Sequence, residues 1–406
     1  MILNKQRGAT MKTRAGLFCA TVLMATTSAN ASVINLIDLG GVAGSPAEQG
    51  FNIAANYWSK MFTNDATINL GVSFAALPPN VIGSTRSYAF DYSVQNWENG
   101  INATKSGSAI DSNIVLPTLN DGSASFITNG TDASGTQNIS DAYKYVTSGD
   151  VSSTTLYLNS SVIKAIGGTL ANPGALDGAV QFSSNFGFDF NPTDGVSANT
   201  FDFIGVAIHE IGHALGFVSG VDAIDYFADP NGPGAGALGY SLNDTSLFSS
   251  LDMFRYSTDP TNLVAGSDPV LDLTVGGTKY FSIDGGATAL FGNTFATGSY
   301  NGDGRQASHW KDTANCEVGN GIMDPTFCYA QTGAVTALDL AAFDAMGWNL
   351  SVDALTYSTE TTSQIYARYL ATSAVPEPAT WGLMLVGFGL IGGASRRKTE
   401  GRRVLA

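Results

Sequence analysis

Three residues within one short segment have the types and the spacing of a catalytic zinc site. The segment 201–217 reads FDFIGVAIHEIGHALGF and contains His209, Glu210 and His213 in the pattern HExxH. On an α-helix, residues four apart lie on one face, so both imidazoles can bind one zinc ion at about 2.0–2.1 Å. Glu210 would lie beside the metal and act as general base toward a water molecule. A core helix with two structural histidines is the alternative, but the chain has only 3 His in all.

The residues around the motif predict the helix that would hold it. We expect Asn199 or Thr200 to cap the amino end of this helix and Gly216 to end it. Apolar residues recur at helical spacing and would form its buried face: Ile204, Ile208, Ile211 and Leu215.

A catalytic zinc site also needs a third protein ligand and an open position. In the short metzincin signature HExxHxxGxxH the third histidine follows the glycine by three residues, where this chain has Ser219. The remaining histidine is His309, in ASHW, and residues 321–325 read GIMDP. This combination resembles the metzincin metalloproteases with a distal third histidine, the leishmanolysin-like arrangement.

The resemblance implies a site and a fold. It makes His209, His213 and His309 the ligands of one zinc ion and Glu210 the general base, with Met323 in a Met-turn beneath the metal. The implied fold is α+β, with a twisted mixed sheet, an active-site helix and a further helix after the Met-turn. The chain departs from the pattern at Ser219 and at Pro325, which stands where a tyrosine would be, so no tyrosine ligand is expected.

Both ends of the chain carry signals for export. Basic residues near the start precede an apolar run over 15–25, and Ala29, Asn30 and Ala31 offer small residues for cleavage, so 1–31 is a predicted secretory signal peptide. At the other end, the residues 375–378 (VPEP) are followed by an apolar stretch over 379–394 and a basic cluster.

This order closely resembles the PEP-CTERM sorting signal of Gram-negative bacteria, which we assign to 375–400. It implies recognition by an exosortase, delivery to the cell surface or extracellular matrix, and transient association with the inner membrane. A stable membrane anchor is the alternative, although 379–394 is shorter than the about 20 apolar residues that a span requires.

Charge and cysteine content agree with an exported protein. The formal net charge is −15, which argues against nucleic acid as a partner. Cys316 and Cys328 are the cysteines left after the signal peptide, and an even pair in an exported protein predicts a disulfide that would bracket Met323. Free thiols are the alternative.

Periodicity predicts several further elements. The resemblance implies that an edge strand upstream of the active-site helix pairs with substrate, and we expect 179–186 to be that strand. Residues 80–150 have few periodic runs, so we predict no helix or strand there. The predicted elements are a helix at 51–62, strands at 67–74, 154–158 and 179–186, and helices at 160–166 and 336–348.

Two segments lie outside this pattern. The loop 301–304 (NGDG) has oxygen ligands that could suit calcium, but it does not match the EF-hand spacing. The Ser/Thr-rich segment 351–374 is predicted to be a linker, which leaves 32–350 as the catalytic domain.

The sequence therefore predicts an exported zinc-dependent endopeptidase acting on protein or peptide substrates. A catalytically silent surface or matrix protein that retains a metalloprotease fold is the alternative. A third hypothesis is a different zincin, in which a downstream carboxylate rather than His309 completes the site.

Overall fold

The computed structural model describes residues 31–79, 81–130, 143–237, 241–260, 268–292, 294–313, 316 and 319–373. The sorting signal at 375–400 and all but the last residue of the signal peptide at 1–31 lie outside the described residues.

The described part of the chain mixes helices with short sheets. Its helices are α1 (Pro46–Met61), α2 (Val94–Thr104), α3 (Ala109–Asn113), α4 (Val151–Thr154), α5 (Ser160–Ala165), α6 (Phe203–Ala214), α7 (Val221–Phe227), α8 (Ala337–Met346) and α9 (Thr362–Ser373). Its strands are β1 (Val33–Gly40), β2 (Thr67–Ala75), β3 (Gly83–Ser87), β4 (Ala89–Ser93), β5 (Leu119–Asn120), β6 (Ser123–Ala124), β7 (Phe126–Thr128), β8 (Lys144–Val146), β9 (Thr155–Asn159), β10 (Gly178–Ser183), β11 (Phe188–Asp189), β12 (Phe201–Asp202), β13 (Arg255–Ser257), β14 (Val270–Leu271), β15 (Lys279–Phe281), β16 (Thr294–Phe295), β17 (Ala334–Val335) and β18 (Glu360–Thr361).

One four-stranded sheet lies beside the helix α6, which carries the HExxH motif. Its strand order is β1-β2-β10-β3, and both β1 and β10 run parallel to β2. The strand β3 runs antiparallel to β10 at the sheet edge and packs against α6. Alternation of Ile68, Leu70 and Val72 buries one face of β2, as the sequence predicts. The sheet thus holds β3 next to the motif.

The prediction that residues 179–186 form an edge strand able to pair with substrate is wrong. Residues 179–186 form β10, at Gly178–Ser183, but β10 is hydrogen-bonded to β2 on one side and to β3 on the other. A strand that is paired on both sides has no free backbone groups to offer a peptide. The edge position belongs to β3, whose sequence GSTRS lacks the apolar alternation that marks a half-buried strand.

Aromatic side chains pack beneath α6 and hold it at both its middle and its end. Trp58 and Trp348 are fully buried and both stack against Phe62. The indole of Trp58 donates to Ile208 O at 3.0 Å, and the indole of Trp348 donates to Leu215 O at 2.9 Å. The second bond satisfies a carbonyl at the carboxyl end of the helix, where intrahelical partners run out.

The cap of α6 differs from the prediction. The helix begins after Asp202, whose carboxylate accepts from the backbone N–H groups of Ile204 and Gly205, each at 3.1 Å. Asn199 instead has a positive φ of 60° in the preceding turn. An aspartate is a strong N-cap because it satisfies N–H groups that the first helical turn leaves unpaired.

The predicted linker over 351–374 is also wrong for the residues described. This segment contains β18, which pairs with β17, and the helix α9. Ile365 and Tyr366 of α9 are buried. The Ser/Thr content resembles that of a tether, but enough apolar residues recur at helical spacing to dock the helix, so the folded domain continues to residue 373.

A second sheet fills the long segment between α6 and His309. Its strands follow the order β14-β13-β15-β16, all antiparallel. Phe295 at the end of β16 forms an isolated bridge with Trp310. This sheet therefore ends directly beside the third histidine.

Candidate metal centre

Three histidine side chains lie close together in the fold. The helix α6 places the Nε2 atoms of His209 and His213 3.0 Å apart. Nε2 of His309 lies 3.2 Å from that of His213 and 3.3 Å from that of His209. Tetrahedral ligands at about 2.0–2.1 Å from a zinc ion are separated from one another by about 3.3 Å, so the spacing fits one ion.

The other ring nitrogen of each histidine contacts a backbone carbonyl. His209 Nδ1 lies 2.7 Å from Ile322 O, and His213 Nδ1 lies 2.6 Å from Phe217 O. The corresponding contact of His309 is 3.3 Å. A carbonyl can only accept, so Nδ1 carries the proton in each ring and the lone pair lies on Nε2. All three lone pairs therefore face a common point, as metal ligation requires.

Burial keeps the three rings in the neutral form that binds metals. It lowers the pKa of His209 to about 4. Burial, with the charge of His209 as a smaller cause, lowers the pKa of His213 to about 3. The pKa of His309 is also held well below its ordinary value, mainly by burial. The donor set is neutral, convergent and preorganised, and so fits Zn²⁺.

Glu210 lies between the two helix histidines and faces the strand β3. The hydroxyl of Thr85 donates to Glu210 Oε2 at 2.7 Å and also lies 2.8 Å from the Glu210 carbonyl oxygen. A Cβ on Gly83 would come within 2.9 Å of Oε1, so a side chain at this position would crowd the carboxylate. Burial raises the pKa of Glu210 to about 7, and the Thr85 hydrogen bond opposes that rise.

Met323 packs against Gly212 of α6 and belongs to a loop that α8 holds in place. A Cβ on Gly212 would come within 2.7 Å of Met323 Sδ, so the methionine packs directly against α6. Asp339, in the first turn of α8, accepts from Ile322 N at 2.8 Å, Met323 N at 3.2 Å and Trp310 Nε1 at 2.9 Å. One carboxylate thus fixes the loop whose carbonyl orients His209.

The predicted disulfide is confirmed, because Cys316 and Cys328 are bonded and bracket Met323 in sequence.

In the loop 301–304, whose sequence could suit calcium, the carboxylate of Asp303 is bonded to groups of the protein. Asp303 accepts from Thr297 N at 3.0 Å and pairs with Lys311 Nζ at 2.7 Å. Within the described residues, the three histidines are the only group of three or more His, Cys, Asp or Glu side chains that could hold a metal.

The histidines and Glu210 line an open cleft of about 510 Å³. One wall is the segment that includes β3, and the other is formed by the loop after Met323 and by residues near His309. The remaining lining residues are Val81, Ile82, Gly83, Ser84, Thr85, Ser87, Val206, Val218, Gln306, Ser308, Asp324, Pro325 and Phe327.

The structure brings together every residue that the sequence predicts for the site. Sequence reasoning missed Gly83 and Thr85, because both lie in a segment without periodicity. It also missed the bonds that join Asp339 to the Met323 loop. Asp339 three residues after Thr336 is the signal of a capping box, which the structure contains.

Comparison with known proteins identifies one motif. The family model of the PEP-CTERM protein-sorting motif matches residues 374–398. This motif implies recognition by exosortase sorting machinery, export and sorting to the surface of a Gram-negative bacterium. No curated protein and no solved structure matches the chain.

The predicted apolar stretch over 379–394 lies outside the described residues. Among the helices that are described, none is both long and apolar enough to cross a membrane.

Proposed function

We propose that this protein is an exported zinc-dependent endopeptidase with a metzincin-like catalytic domain. The observation that carries the proposal is the convergence of three neutral histidine Nε2 atoms, 3.0–3.3 Å apart, in a cleft that also contains Glu210. His209, His213 and His309 would hold the ion. A zinc ion bound there would supply Lewis-acid polarisation of the scissile carbonyl and lower the pKa of a water molecule toward about 7.

Glu210 would act as the general base and general acid. Its Oε2 already accepts from Thr85, so Oε1 is the atom that takes a proton from the attacking water and returns it to the leaving amine. The helix α6 places this carboxylate between the two histidines without making it a ligand. Burial raises the pKa of Glu210 to about 7. At neutral pH, a group with such a pKa can both accept and donate a proton.

The strand β3 would bind the substrate backbone. One side of β3 is paired with β10, and its residues line the cleft on the other side. An extended peptide can add to such an edge through main-chain hydrogen bonds. Gly83 presents no side chain beside Glu210, which leaves room for the scissile bond there. This arrangement favours a polypeptide substrate over a small molecule.

The sorting motif suggests where the enzyme would act. We propose release at the cell surface or into the extracellular matrix, with transient association of the segment 379–394 with the inner membrane. A catalytically silent matrix protein is the second candidate, and the PEP-CTERM motif favours it equally. The placement of Glu210 in an open cleft argues for turnover instead.

The test compares zinc content and casein cleavage in the parent chain, Glu210→Ala and His309→Ala, with Glu48→Gln as an exposed carboxylate control on α1. We expect Glu210→Ala to keep its zinc and to lose about 10²- to 10⁴-fold in turnover, because it removes the base alone. His309→Ala should lose zinc. Cleavage by Glu210→Ala at the parent rate would contradict the mechanism. Zinc binding without cleavage by the parent would favour the silent protein, and full zinc binding by His309→Ala would favour a carboxylate as third ligand.

A further inference from the structure

His309 is the ligand whose ring is held least closely by its own backbone contact. Its Nδ1 lies 3.3 Å from Gln306 O, compared with 2.7 Å and 2.6 Å for the contacts of the other two histidines. Those two histidines also share the rigid helix α6, whereas His309 follows a long segment of loops and short strands. Ala296 N donates to His309 O at 3.1 Å and Trp310 N donates to Met323 O at 3.0 Å, so the residues directly before His309 are the part of its backbone that other contacts must fix.

A single carboxylate fixes that backbone. Asp222, in the first turn of α7, accepts from Ala307 N at 2.6 Å through Oδ1 and from Ser308 N at 3.2 Å through Oδ2. The Ser308 hydroxyl also donates to Oδ2. Three donors from two consecutive residues leave the chain little freedom just before His309. The carboxylate itself does not contact the histidine.

Ser308 connects the same carboxylate to the end of the active-site helix. The backbone N–H of Ser219 donates to Ser308 Oγ at 2.8 Å, and the Ser219 hydroxyl donates to Asp252 Oδ1 at 2.5 Å. Ser219 occupies the position at which the short metzincin signature has its third ligand. Here this position ties the chain after α6 to the residue that precedes the distal ligand.

A buried cation lies among these carboxylates. Burial raises the pKa of Asp222 to about 6 and also raises that of Asp252, and the charge of the fully buried Arg255 opposes both rises. Its guanidinium also donates to Ala307 O at 3.3 Å. The cation and the hydrogen-bond donors thus favour the ionised forms of these carboxylates, whereas burial opposes them.

We propose that Asp222 and Ser308 are positioning residues that hold His309 at the metal, so that zinc affinity depends on a carboxylate that does not touch the metal site. This inference rests on the zinc centre of the proposed function, and it does not require peptidase activity. Hydrogen-bond partners behind metal ligands typically change metal affinity by about 10- to 100-fold.

The test measures zinc dissociation constants of the full chain, stripped with a chelator and titrated against a chromophoric competitor. Asp222→Asn places an amide N–H₂ against backbone donors, and we expect its dissociation constant to rise about 10- to 100-fold. Ser308→Ala keeps the two backbone bonds to Asp222 and should weaken zinc binding by a smaller factor. The visible spectrum of the cobalt(II)-loaded variants should change with the geometry of the ligands.

Asp177→Asn is the matched control. Asp177 is more deeply buried than the half-buried Asp222, and it also accepts three hydrogen bonds, from Ser160 Oγ, Asn69 N and Lys164 Nζ, but none of these donors adjoins a histidine. We expect this variant to lose stability and to keep the zinc affinity and cobalt spectrum of the parent. Thermal unfolding of the metal-free proteins reports the loss of stability separately.

Parent-like zinc affinity in folded Asp222→Asn and Ser308→Ala would overturn the inference. If Asp222→Asn does not fold, Ser308→Ala decides the question alone. Weaker zinc binding in the variants, together with a parent that binds zinc but cleaves no protein, would uphold the inference and contradict the peptidase proposal. A parent that binds no zinc would contradict both.

Discussion

At the scale of single residues, Glu210, the proposed general base, is positioned by the strand it faces as well as by its own helix. Thr85 and Gly83 of β3 approach Glu210 closely, one with a hydroxyl and the other by having no side chain. The hydroxyl fixes Oε2 and thereby directs Oε1. Because β3 would also bind the substrate backbone, this one strand would set the position of the substrate relative to Glu210.

Thr85→Val tests this arrangement. Valine has nearly the same shape but no hydroxyl, so we expect kcat to fall about tenfold, or about 1.4 kcal/mol in the activation free energy. Zinc content and KM should change little, since Thr85 contacts the base rather than the histidines. Thr85→Ser restores the hydroxyl and should recover most of kcat. Equal loss of kcat in Val and Ser variants would show that packing of the strand, and not the hydrogen bond, is what matters.

At the scale of elements, α8 supports the site from below and contains a buried carboxylate of its own. Ser108 Oγ donates to Asp344 Oδ2 at 2.9 Å, while Oδ1 is buried without a hydrogen-bond partner in the described part of the chain. Burial, with the nearby charge of Asp111 as the next cause, raises the pKa of Asp344 to about 7. The folded protein therefore holds a proton here that the unfolded chain, with a pKa of about 3.9, releases.

This difference makes stability depend on pH. Between about pH 4 and 7 the folded state binds more protons at this position than the unfolded state does, so stability is lost as pH rises through that window. Asp344→Asn cannot ionise, and we expect it to gain stability relative to the parent as pH rises from 4 to 8. Urea unfolding at several pH values measures the difference. A difference that stays constant across pH would mean that Asp344 has the same pKa in the folded and unfolded states.

At the scale of the whole molecule, the last described helix belongs to the same folded unit as α6. The hydroxyl of Thr362, at the start of α9, donates to the carboxylate of Asp202, which caps α6. Gly333 N donates to the same carboxylate at 2.9 Å. The start of α9 thus contacts the amino end of α6.

Truncation tests this role. A chain that ends at Leu350 should have an unfolding free energy lower than the parent by at least about 3 kcal/mol, because it removes the buried side chains of Ile365 and Tyr366 and the Thr362 contact. A chain that ends at Ser373 is the control and should melt at the parent temperature. Equal melting temperatures for the two truncated chains would restore the linker interpretation of 351–374.

The sequence by itself determined the local chemistry of this protein. The helix spacing of His209 and His213, the disulfide pair and the helix at 336–348 all follow from short-range patterns, and the structure contains each of them. Short-range patterns suffice here because period, capping and cysteine count depend on neighbours along the chain. The sorting motif, matched at 374–398, is also a short-range pattern that the sequence alone shows.

Only the tertiary structure decided which distant residues complete the site. The strand β3 has a polar sequence that no periodicity marks, and it became the edge of the sheet because β10 paired on both sides. Asp222 meets Ser308 across 86 positions of sequence, so no local rule could connect them. The packing of α9 likewise depends on contacts with elements of this chain that are distant in sequence. In each case the deciding contacts join residues far apart in the chain, and packing alone brings them together.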